Sequence, residues 1–137
     1  MRKILIATHG YLADGVKSSI EILCGAKNNI SYINAYVDDT NIDEKIEVFF
    51  KDLKGEDEAV IFTDIFGGSV NQKFIPHCTK PNVHIIAGFN LAIILEIIFK
   101  DKPLSKDNIK EEIENCRNQL IYVNDISSKE ENEEGFF

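Results

Sequence analysis

The chain is 137 residues long, 44% hydrophobic and 28% charged, the composition of one globular domain large enough to bury a real core. Its 15 Lys and Arg against 23 Asp and Glu give a formal charge of −8, which argues against general binding to nucleic acid or to anionic membranes. The longest apolar runs are too short to cross a bilayer, and the run after Arg2-Lys3 stops at Thr8, short of a signal-peptide core, so a cytoplasmic protein is expected.

Ile4-Leu5-Ile6-Ala7-Thr8-His9-Gly10 reads as a short buried strand ending in a tight turn. Ala13, Val16, Ile20 and Leu23 then recur at helical spacing up to Gly25, a plausible stop. Residues 30–36 form a second strand, with Ser31 and Asn34 on a wetter face. The Asp38-Asp39-Thr40-Asn41 turn supplies N-cap oxygens for a helix carrying Ile42, Ile46, Phe49 and Leu53 and ending near Gly55. Residues 59–63 are the third strand and the most clearly buried.

Ser69 with Gln72 three residues on fits a capping box, which opens a helix that Pro76 kinks or shortens. Residues 83–87 are a fourth strand. Residues 91–99 are apolar on nearly every side, with only Glu96 polar, and a helix of that kind needs cover on more than one face, which suggests a subunit interface. Ser105 caps a helix bearing Ile109, Ile113 and Cys116, and residues 120–123 read as a last short strand. Residues 127–137 form an acidic tail expected to be disordered. Cys24, Cys78 and Cys116 form no close pair and read as reduced thiols flanking the core.

This alternation predicts an α/β fold with a mostly parallel central sheet and helices on both faces. The carboxyl ends of strands one and three are then neighbours or near-neighbours, so His9 and Asp64 can meet at the edge where such sheets bind ligands. An isolated histidine there more often just ends a strand; a carboxylate and a glycine pair at the same edge shift the balance. A carboxylate that accepts a hydrogen bond from one ring nitrogen fixes the tautomer and leaves the other nitrogen as base or nucleophile. Ser69 is the only candidate hydroxyl nearby, and its capping-box position suggests that its oxygen is already engaged. Backbone N–H groups of Gly67-Gly68-Ser69 suit the oxyanions of a phosphoryl group, and no acidic cluster follows strand one to suggest a metal. The set favours a histidine that itself carries a phosphoryl group, with neither metal nor cofactor.

Ile-Ala-Thr-His9-Gly10, Phe-Thr-Asp64-Ile-Phe-Gly67-Gly68-Ser69-Val-Asn71 and Ile-Ala-Gly88-Phe-Asn90-Leu, in this order, resemble the mannose-type enzyme IIA domain of the bacterial sugar phosphotransferase system over residues 1–126. The resemblance implies that His9 takes phosphate from the histidine-containing phosphocarrier protein and passes it to a IIB partner in sugar uptake. It also implies that Asp64 orients His9, with Thr8, Gly67, Gly68 and Ser69 around the phosphoryl group. It further implies a homodimer with exchanged last strands, associated with the membrane only through transporter subunits. Val70 and Ala92 stand where the family usually has proline, which bears on loop geometry and partner choice. No IIB domain is joined to the chain, so a free-standing IIA subunit is expected, or a relative serving dihydroxyacetone phosphorylation or regulation.

Two other classes compete. A receiver-like domain phosphorylated on Asp64 needs acidic metal ligands after strand one, where Ala7-Thr8-His9 supplies none. A nucleotide or flavin module lacks a Gly-x-Gly-x-x-Gly or Walker loop there. His77 and His84 are read as structural, His84 on the wetter side of its strand.

Overall fold

The computed structural model describes residues 1–130. Its four strands are β1 (Arg2–His9), β2 (Ile30–Ala35), β3 (Glu58–Thr63) and β4 (Val83–Ala87). They form one all-parallel sheet in the order β2-β1-β3-β4. The helices are α1 (Leu12–Cys24), α2 (Ile42–Lys51), α3 (Ser69–Phe74), α4 (Leu91–Phe99), α5 (Lys106–Arg117) and α6 (Val123–Glu130), with a 3-10 turn at Ile75–His77 where Pro76 ends α3. The α/β class, the parallel sheet and its helical layers thus match the sequence reading.

Alternation along the strands builds two cores. Ile4, Ile6, Val60 and Phe62 face α1, α4 and α5, whereas Leu5, Ala7, Ala59 and Ile61 face α2 and α3. The two central strands are buried on both faces, and each large apolar side chain sunk there contributes about 1.5–3 kcal/mol. Arg2 fastens one end of the sheet: its guanidinium bonds Glu58 and the carbonyls of Ile97, Lys100 and Lys102 at the end of α4. Glu58 in turn accepts the Leu104 amide at 2.6 Å.

Three expectations change. Residues 120–123 pair with no strand; residues 120–122 are irregular, and Val123 opens α6, which takes in the first four residues of the expected tail. Four residues do not make a strand without a sheet edge to join, and among the described residues the segment reaches none. The remainder of the expected tail lies outside the described residues. Finally, α4 is covered in part within the chain: Ile93, Ile94 and Ile97 are buried, and α5 brings Ile109, Ile113 and Cys116 into the same cluster. Leu91 and Phe99, at the two ends of α4, stay exposed.

The cysteines are all free thiols. His77 stacks on Phe50 with ring centroids 3.9 Å apart, and burial, helped by Lys80, lowers its pKa. His84 is half-buried on the edge strand and its pKa is also lowered, chiefly by burial.

Candidate functional site

The sheet order places β1 and β3 side by side at the point where the chain's connections diverge to opposite edges, and their carboxyl ends form the site. His9 ends β1. Asp64 follows β3 directly, and its Oδ2 accepts two hydrogen bonds from the histidine, one from the backbone amide at 2.9 Å and one from ring Nδ1 at 3.0 Å. An ionised carboxylate only accepts, so Nδ1 carries the proton, and in the neutral imidazole Nε2 keeps its lone pair. The Asp64 side chain is largely covered, at 10% exposed, whereas that of His9 is 40% exposed. Burial works against the charge on Asp64. The hydrogen bonds from the His9 amide and the His9 ring outweigh it and hold the carboxyl below the ordinary range.

Ser69 closes the other side of the ring. Its Oγ lies 3.2 Å from His9 Nε2 and 2.8 Å from the phenol oxygen of Tyr36. The capping box expected here does not form. Gly68 is the N-cap of α3 and makes no side-chain cap, which puts Ser69 inside the first turn, while Gln72 Nε2 donates to the Gly67 carbonyl instead. A register shift of one residue thus frees the serine oxygen for the histidine. Tyr36, which the sequence reading passed over, follows β2 with φ +67°, and its ring centroid lies 5.5 Å from that of His9.

The loop between β3 and α3 is held from below. Asn71 is buried, takes the Gly67 amide on Oδ1 and donates to Thr63 Oγ1, both at 3.0 Å. Gly67 has φ +76°, which a side chain would strain. A Cβ on Gly68 would sit 3.3 Å from the Ile65 carbonyl and 3.5 Å from His9 Cε1. The Gly67 and Gly68 amides, expected at a phosphoryl group, are committed within the loop, to Asn71 and to the Ile65 carbonyl. Thr8, also expected there, is fully buried, and its Oγ1 accepts the Ala13 amide at 2.8 Å. Asn34 Oδ1 accepts the next amide, from Asp14, so side chains of two strands fix the start of α1 beside His9. Among the described residues no group of three or more His, Cys, Asp or Glu side chains is placed to hold a metal ion.

The family model described as the PTS system fructose IIA component, EIIA-man, matches residues 3–117. The chain belongs to this family of PTS IIA components. It is 25% identical over 128 residues to the PTS system fructose-specific EIIA component of Bacillus subtilis (strain 168), covering 90% of this chain and 86% of that protein. Among solved structures, it is similar to a phosphoenolpyruvate-dependent sugar phosphotransferase system permease from Klebsiella pneumoniae subsp. pneumoniae MGH 78578, with TM-score 0.82 and 30% identity over 90% of this chain and 91% of the other. The PTS IIA protein associated with the fucose utilization operon of Streptococcus pneumoniae gives TM-score 0.72 and 29% identity, over 90% and 94%.

PTS IIA components are phosphotransferases that work in a phosphotransfer chain with other PTS proteins, and this chain is one of them. The two residues that replace the usual prolines of the mannose-type IIA pattern, Val70 and Ala92, both sit in the first turn of a helix, α3 and α4 respectively. Proline and non-proline residues are both accommodated in a first turn, where the amide has no intrahelical partner. Val70 is buried in the core shared with α2 and gives that core an apolar side chain. No helix among the described residues is long and apolar enough to cross a membrane.

Proposed function

We propose that His9 is the phosphoryl acceptor and donor of this IIA component, reacting through Nε2. The observation that carries this reading is the pairing of Nδ1 with Asp64, which leaves the opposite nitrogen with its lone pair, facing the Ser69 hydroxyl. The Nε2 lone pair attacks the phosphorus of a phosphohistidine on the histidine-containing phosphocarrier protein. The N–P bond of the donor breaks and its electron pair stays with the donor imidazole. Positive charge developing on His9 is stabilised by Asp64 across the Nδ1 hydrogen bond. Transfer onward to a IIB protein is the same step in reverse roles. Phosphoryl transfer asks mainly for positioning and charge stabilisation, which a pre-oriented imidazole supplies.

Ser69 donates its hydroxyl to the phosphoryl group, Gly67 and Gly68 keep the loop backbone close without side chains, and Thr8 supports the floor. Tyr11, Leu12, Ile65 and Phe66 are exposed on the segments that follow His9 and Asp64, and Phe66 is 82% exposed. An apolar rim of this kind suits protein partners that meet at the histidine. Exposed apolar side chains at residues 120–123 support a homodimer in which this segment packs against the second subunit.

The competing acceptor is Asp64, but its Oδ2 is already committed to two His9 donors and its side chain is largely covered. Incubation with labelled phosphoenolpyruvate, enzyme I and the phosphocarrier protein is expected to give an acid-labile, alkali-stable label that His9→Ala abolishes. A label that survives His9→Ala and is lost in Asp64→Asn would replace this reading with the receiver-like one.

A further inference from the structure

We propose that Tyr36 is a positioning residue for phosphoryl transfer at His9: its phenol holds the Ser69 hydroxyl with its one proton directed at Nε2, and then at the phosphoryl group carried there. The proposal rests on His9 being the phosphoryl acceptor.

Proton counting gives the direction of the chain of bonds. In the neutral imidazole, which the nucleophile must be, Nδ1–H is given to Asp64 and Nε2 is the acceptor, so the contact at 3.2 Å is Ser69 O–H donating to Nε2. The serine has then spent its only proton. The contact at 2.8 Å must therefore be the Tyr36 phenol donating to Ser69 Oγ. The relay runs Tyr36 O–H, Ser69 O–H, His9 Nε2, with Asp64 at the far side of the ring. Each bond in such a series polarises the next, so the phenol makes the serine a stronger donor. It also stops an exposed hydroxyl rotor from turning its proton to water.

The backbone supplies an independent observation. Tyr36 sits at φ +67°, a conformation unfavourable for a bulky side chain, and such positions collect at functional sites. With this backbone the first residue past β2 presents its ring to His9, centroids 5.5 Å apart and planes tilted by 44°, with the phenol oxygen on Ser69. When the lone pair of Nε2 enters the N–P bond, that nitrogen stops accepting. The Ser69 proton then turns to a phosphoryl oxygen while Tyr36 keeps its bond to Oγ.

Tyr36→Phe keeps the ring and removes the phenol oxygen. The rate of phosphoryl acceptance is expected to fall about three- to tenfold, the worth of one hydrogen bond, with KM for the phosphocarrier protein unchanged. In a Ser69→Ala background the same exchange is expected to have no further effect, since Tyr36 acts through Ser69. A wild-type rate in Tyr36→Phe, or an equal loss in both backgrounds, overturns the relay. The resting protein gives a second readout that needs no donor. The 15N resonance of His9 Nε2 is expected to shift in Tyr36→Phe in the same direction as in Ser69→Ala. An unmoved resonance overturns the proposal whether or not His9 accepts phosphate, so its failure is distinct from failure of the acceptor reading.

Discussion

Asp64 carries two bonds on one oxygen, while its Oδ1 is buried without a partner among the described residues. Asp64→Asn is expected to leave the fold intact and slow transfer strongly, because an amide cannot stabilise a developing imidazolium and can hold the wrong tautomer. The corresponding exchange in a serine-protease triad costs about four orders of magnitude. A wild-type transfer rate would remove Asp64 from the orienting role. The same variant tests the electrostatics. The carboxyl of Asp64 is held below its ordinary value, so the stability it adds is present above the unfolded value of about 3.9 and is lost as pH falls through the folded one. Denaturant midpoints of wild type and Asp64→Asn should therefore differ at neutral pH and converge in acid; a constant gap would contradict this. His9 and Asp64 are legible in the sequence because each is the polar residue that ends a buried apolar run. Tyr36 is not, since no propensity places a tyrosine at positive φ.

At the scale of elements, the four strands and first five helices follow from apolar periodicity and caps; Asn41 caps α2 and Ser105 caps α5 with a true capping box. The errors arise where pattern leaves register open. Ser69 and Gln72 have capping-box spacing, yet the helix begins one residue earlier than that pattern implies, with Gly68 as N-cap. The support under the β3–α3 loop is equally hidden, because Asn71 reads as an ordinary helical residue. Removing its side chain would leave the Gly67 amide and the Thr63 hydroxyl without their partner. Asn71→Ala is expected to cost about 1–3 kcal/mol and to speed hydrogen exchange at the Gly67 amide. Denaturant titration and exchange measurements check both, and unchanged exchange at Gly67 would show that the loop is held by other means.

At the scale of the molecule, the open question is what covers the apolar segment after α5. Leu120 is 91% exposed, and Ile121, Tyr122 and Val123 are exposed beside it. The proposed homodimer rests on these four neighbours. Deleting residues 119–137 is expected to abolish a dimer and lower solubility, while deleting residues 127–137 should change neither. Sedimentation decides, and a soluble monomer from the longer deletion would mean that one chain covers its own apolar helix. The sheet order has a further consequence, in the sequence of events by which the chain folds. β1 lies in the middle of the sheet but precedes both of its neighbours along the chain. Its buried run from Ile4 to Ala7 has no complete environment until β3 arrives, and His9 has no carboxylate until a residue 55 positions later comes into register. Pairings so distant in sequence form slowly, and an unpartnered apolar strand is the segment a chaperone would hold in the interval. A newly made chain thus brings His9 and Asp64 together only when the last of its central strands has docked.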